Sequence, residues 1–173
     1  MTRRGLLTIP GAVLLLVVLA GCATPYRDGR FENDHVGYTL GDPGEGWRQL
    51  RLPQANVAWY NDQLGAALLV NSHCEAVKDA PLEALTTDLL IGTTEREFLE
   101  QKRMPFAGRE ALETVAAVKL DGVPRRMGLF VLKKDGCVYD VVIDAPPERF
   151  EEAIASFRRV RDGLDVGPRR DRG

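Results

Sequence analysis

Apolar side chains recur at every second position through much of the middle of the chain, and at every third or fourth position shortly before its C-terminus. Residues 57–60 and 66–72 are apolar runs on either side of Asn61-Asp62-Gln63-Leu64-Gly65, a pattern that predicts a β-hairpin. Residues 111–120, 127–132 and 137–143 are separated by Asp121-Gly122 and Asp135-Gly136, turn pairs that predict a three-strand meander. The middle run, Met127 to Leu132, is apolar on both faces, so it belongs at the centre of a sheet covered on both sides. Two helices are predicted to supply that cover. One spans residues 81–91, with Pro81 in its first turn and Gly92 just beyond its end. The other spans residues 147–161, where Phe150, Ile154, Phe157 and Val160 share a face and Glu148, Glu151 and Glu152 sit at the positive N-terminal end. The fold class is therefore α+β, a mostly antiparallel sheet with helices packed on it.

The pattern changes near the N-terminus. Arg3 and Arg4 precede an apolar stretch from residue 6 to residue 20, interrupted by Pro10 and Gly11. At about fifteen residues it is shorter than the roughly twenty that a membrane-spanning helix needs. It reads as an export signal. The tetrapeptide Leu19-Ala20-Gly21-Cys22 resembles the bacterial lipobox. That resemblance implies cleavage between Gly21 and Cys22, a diacylglyceryl group on Cys22 Sγ and acylation of the new amine. Each buried methylene contributes about 0.8 kcal/mol, so two or three acyl chains anchor a domain durably. No other cofactor is expected. Ala23 stands where an aspartate often retains lipoproteins in the inner membrane, which favours the outer membrane. Thr2-Arg3-Arg4-Gly5-Leu6-Leu7 also resembles a degenerate twin-arginine signal, although ordinary export signals often carry two arginines as well.

Residues 1–21 therefore form the leader, and the 173-residue chain becomes a mature chain of 152, long enough for one domain. Losing Arg3 and Arg4 takes the net charge from −2 to −4. There is no basic stripe, which argues against nucleic acid as a partner. Residues 22–35, with Pro25, Gly29 and several charges but no apolar period, are expected to be a flexible tether. The domain proper is expected at 36–164, and residues 165–173 as a disordered tail.

Two cysteines remain besides Cys22. In an oxidising envelope an isolated pair reads as a disulfide before a metal site. Cys74 shares a strand face with Ala66, Leu68, Val70 and Ser72, and Cys137 with Tyr139, Val141 and Ile143. One ends its strand and the other begins its own, so an antiparallel arrangement would join Cys74 to Cys137.

Tyr38-Thr39-Leu40, followed by Pro43 and Gly46-Trp47, is similar to the opening strand and Pro-x-x-Trp corner of the PsbP-like fold. Members of that fold include a photosystem lumenal subunit, a Ran-binding nuclear transport factor and the DcrB-like bacterial lipoproteins. The order of hairpin, helix, meander and closing helix matches from about residue 36 to 164. The resemblance implies an α/β/α sandwich and a bias towards assembly or binding over catalysis, without naming a ligand.

Catalytic material is sparse. Ser72 and Ser156 lie in no nucleophile elbow, and Ser72 and His73, as strand neighbours, point to opposite faces. His35, His73, Cys74 and Cys137 have no metal-ligand spacing, so no metal site is expected. Asp140 and Asp144 share a strand face, as acid–base pairs can, but are read here as a partly solvated face or strand-end caps. Trp47, Trp59 and Tyr60 are the candidates for a binding patch. The sequence thus points to a membrane-anchored, non-enzymatic envelope module that faces the periplasm and binds or positions another envelope protein. The alternatives are a small periplasmic hydrolase with a carboxylate site, or a structural or stress-associated lipoprotein without a specific ligand.

Overall fold

Alternating side chains and tight left-handed turns build most of the computed structural model, which describes residues 26–74 and 80–167. In chain order the strands are β1 (Tyr26–Arg27), β2 (Arg30–Glu32), β3 (Gly37–Thr39), β4 (Trp47–Leu50), β5 (Val57–Asn61) and β6 (Ala66–His73). Helix α1 (Leu82–Asp88) follows, then β7 (Thr93–Phe106), β8 (Arg109–Leu120), β9 (Val123–Lys134) and β10 (Cys137–Ala145). Helix α2 (Phe150–Asp162) and the short β11 (Asp165–Val166) end the described chain. Four of the hairpin turns, Asp28-Gly29, Ala107-Gly108, Asp121-Gly122 and Asp135-Gly136, have positive φ at both central residues. That geometry matches the twist of antiparallel strands.

The large sheet is antiparallel with strand order β4-β5-β6-β10-β9-β8-β7. As its apolar run predicts, β9 is interior, and Gly128 to Leu132 are buried on both faces. Helix α2 covers one face, setting Phe150, Ile154, Phe157 and Val160 among Phe130, Leu132, Val141 and Ile143. Gly128 makes that approach possible, because a Cβ there would meet Ile154 Cδ1 at 2.7 Å and Ile143 Cγ2 at 2.9 Å. Helix α1 covers the other face, with Leu82 and Leu85 on Leu112, Val131 and Val138. The result is the expected α+β sandwich with helices on both sides of the sheet.

The expected boundaries at 36 and 164 are both too narrow. Residues 26–32 do not behave as a tether: β1 and β2 form a hairpin that pairs with β3, and β11 adds to the other side of β3. Phe31 is 2% exposed, stacks on Tyr38 at 5.0 Å and belongs to the main core, as does Val166. A chain trimmed to 36–164 loses both. Burying one such side chain contributes about 2 kcal/mol. The trimmed chain is therefore expected to unfold at clearly lower urea than residues 26–167, and equal midpoints would refute the enlarged core.

Two further differences concern α1 and β7. The helix expected over 81–91 is shorter, and its continuation turns out to Gly92 at φ +91°. Residues 95–103, whose charges leave no apolar alternation to read, lie in β7, a 14-residue edge strand. Its charges and its irregularities between Thr94 and Glu97 and between Phe98 and Glu100 guard an open sheet edge against pairing.

Candidate functional site

The corner between β3 and β4 is held by the end of α2. Gly41 N–H donates to the Val160 carbonyl at 3.2 Å, and the Thr39 hydroxyl donates to the Gly163 carbonyl at 3.2 Å. Contact at Gly41 is so close that a Cβ there would fall 1.9 Å from the Arg159 carbonyl oxygen. Asp42 Oδ1 accepts from Gly44 N–H at 2.6 Å, closing the turn. Arg159 Nη2 donates to the Pro43 carbonyl and, at 2.8 Å, to Ser156 Oγ. Ser156 Oγ in turn accepts from the Trp47 indole N–H at 3.0 Å. One helix end thus fixes both the corner and the ring that follows it.

These elements and the β1–β2 hairpin enclose an open cleft of about 500 Å³. Tyr26, Trp47 and Trp59 supply aromatic surface, Leu40 and Pro43 add apolar surface, and Asp28 and Asp42 bring two carboxylates. Tyr26 meets Trp59 edge to face, with centroids 5.4 Å apart and planes at 89°. Trp59 is 5% exposed and forms the floor, while Tyr26 and Trp47 are half-buried walls. Burial, and then the charge of Asp42, push the Tyr26 hydroxyl above its usual pKa.

The three aromatic candidates from the sequence do not form one patch. Trp47 and Trp59 share a sheet face and the cleft. Tyr60 lies on the opposite face, beneath the Arg48 guanidinium at 5.3 Å. The sequence missed Tyr26 and Asp28, which fell in the presumed tether.

The other candidates also separate. Cys74 and Cys137 are joined as a disulfide with Cα atoms 4.0 Å apart, so neither thiol is available to a metal. Asp144 is not a solvated cap. It makes a two-pronged pair with Arg125 at 2.8 Å on each arm, and Arg125 also donates to the Gly65 carbonyl. Asp140 is 5% exposed on the α1 face of β10, between Val138 and Val142, and among the described residues its Oδ1 has no hydrogen-bond partner. Burial pushes its pKa up to about 7. Neither aspartate lines the cleft. Gly21 and Cys22 lie outside the described residues.

No protein-family model and no curated protein sequence matches the chain. Solved structures do match. Cyanobacterial PsbP (CyanoP) from Synechocystis aligns with a TM-score of 0.57 at 13% identity, over 86% of this chain and 99% of that one. The Ran-binding protein Mog1p of Saccharomyces cerevisiae aligns with a TM-score of 0.57 at 14% identity, over 77% and 90%. LpqN of Mycobacterium tuberculosis, described as involved in cell envelope biogenesis, gives 0.56 at 11% identity, over 76% and 83%. The chain has the PsbP-like fold. At such identities the likeness shows the fold alone.

Proposed function

We propose that this protein is a lipid-anchored module of the cell envelope that binds another envelope protein without doing chemistry of its own. The observation that carries the reading is the Tyr26–Trp47–Trp59 cleft. It sets two half-buried rings, Tyr26 and Trp47, over a buried Trp59 floor on a corner that α2 holds, the kind of preformed aromatic anchor point that dominates binding surfaces. The Cys74–Cys137 disulfide suits an oxidising compartment. The two PsbP-like neighbours described as Ran-binding and as involved in envelope biogenesis are consistent with a binding role. The lipobox-like Leu19-Ala20-Gly21-Cys22 supplies the anchor, and Ala23 favours the outer membrane. A hydrolase built on Asp140 and Asp144 draws no support, because one is buried under the α1 face and the other is held by Arg125.

Anchor and binding are tested separately. Substituting Cys22→Ser is expected to abolish incorporation of labelled palmitate and to leave the leader attached. Palmitate still entering that variant would overturn the anchor. A photo-crosslinking residue at Glu45, exposed beside the Pro43-Gly44 rim of the cleft, is expected to capture a discrete envelope protein that the same residue at Asp88, on α1, does not. Identical capture from both positions would remove the cleft from the proposal.

A further inference from the structure

The cleft's charge has a direction. Asp28 and Asp42 both line it, and among the described residues neither takes part in an ion pair. Arg159, which reaches the corner from α2, is already engaged by the Pro43 carbonyl and Ser156. Tyr26 is braced edge to face on the buried Trp59, and the half-buried Tyr26 and Trp47 rings line the cleft with the carboxylates. Aromatic faces attract cations, and a carboxylate within reach of the same cation adds a charge-assisted hydrogen bond.

Building on the binding role proposed above, we infer that the cleft receives an arginine side chain projecting from the partner protein. A planar guanidinium stacks on Trp and Tyr faces while its N–H fork addresses carboxylates, a combination an ammonium point charge does not match. An apolar side chain would leave Asp28 and Asp42 without a counter-charge, and an anion would be repelled by both. A zwitterionic lipid headgroup carries an ammonium, but its phosphate would come close behind it and meet the same two aspartates. The openness of the cleft suits a side chain delivered on a protruding loop.

The test uses acetyl-Gly-Arg-Gly-amide and its neutral isostere, acetyl-Gly-citrulline-Gly-amide, with the Trp47 and Trp59 indole N–H signals as the NMR readout. The arginine peptide is expected to shift both signals saturably, with an affinity that weakens as salt rises. The citrulline peptide should bind roughly tenfold more weakly. The double substitution Asp28→Asn, Asp42→Asn keeps an oxygen to accept from Gly44 N–H, so the corner persists, and it should bring the arginine peptide down to the citrulline level. Equal binding of the two peptides, or no loss in the double variant, would overturn the inference. So would phosphatidylethanolamine vesicles producing the same indole shifts, which would assign the cleft to a lipid headgroup. If position 45 crosslinks a discrete envelope protein while the arginine peptide leaves the indoles unmoved, the binding role stands and the arginine assignment falls.

Discussion

Replacing Cys74 and Cys137 together by alanine is expected to lower the unfolding temperature by about 10 °C. The bridge closes a loop with a sequence separation of 63 residues. In the chain-entropy account, closing such a loop stabilises the native state by about 4 kcal/mol. Its position gives that figure a structural meaning. β6 and β10 are neighbours in the large sheet but distant in the chain, and their pairing is what joins the β4-β5-β6 hairpins to the β7–β10 meander. Val138 pairs with His73, so Cys137 and Cys74 sit at the end of that seam. The bridge thus fastens the longest-range contact in the sheet, the one with the highest entropic cost to form. Thermal unfolding with and without reductant measures the effect. Thiol counting on denatured, unreduced protein beginning at Ala23 should find no free thiol. Two free thiols, or a reductant-insensitive transition, would refute the bridge.

That pairing was legible because period-two alternation fixes the face of each cysteine, and two turn pairs fix where β10 begins. The same rule explains what was not legible. β1 and β2 have two and three residues, too few to display any alternation, so Phe31 lay hidden among Arg27, Arg30, Glu32, Asn33 and Asp34. The available signal was Asp28-Gly29, which adopts the same turn as Asp121-Gly122 and Asp135-Gly136. β7 escaped for a different reason. Being an edge strand it buries almost nothing, and Glu95 at φ +49°, together with the irregularity at Phe98–Glu100, resets its period twice. Its turn to β8 is Ala107-Gly108, without the Asp or Asn that marks the others.

The site was half legible. Trp59 and Tyr60 are consecutive on a strand, so alternation alone parts them. Trp47 lies across from Asn61 in the β4–β5 register and therefore falls on the Trp59 side. What no local pattern conveys is that the β1–β2 hairpin returns to wall the same cleft with Tyr26 and Asp28. Nor does it show that Ser156, on the far helix, orients the Trp47 indole. These contacts span as many as 109 residues of chain and belong to tertiary packing.

Asp140 carries the second large expectation, a stability that falls as pH rises. Its side chain sits on the α1 face of β10, flanked along the strand by Val138 and Val142 and across it by Val131 and Asn71. Among the described residues of that face, Asp144 is paired with Arg125 and Lys133 donates to the Ala80 carbonyl. Among the described residues no cation pairs with Asp140, and burial raises its pKa from 3.8 to about 7. The sign follows from proton binding. Between those two values the folded state holds a proton that the unfolded chain has released, so stability is fully present below pH 4 and drains away as pH climbs to 7. At about 1.4 kcal/mol per pH unit, the window is worth about 4 kcal/mol. Substituting Asp140→Val places a β-branched apolar side chain among valines and removes the titration. Above pH 7 the variant should therefore be more stable than the natural protein by about 4 kcal/mol, with the difference shrinking steadily towards pH 4. Urea unfolding at closely spaced pH values reads that difference directly, since every other titrating group is common to both chains. An Asp140→Asn variant separates charge from shape: it should follow Asp140→Val in its pH dependence even if its absolute stability is lower. A difference between natural protein and Asp140→Asn that does not change between pH 4 and pH 8 would mean the carboxyl is not buried uncompensated in solution, and that the α1 face is open to water at Asp140.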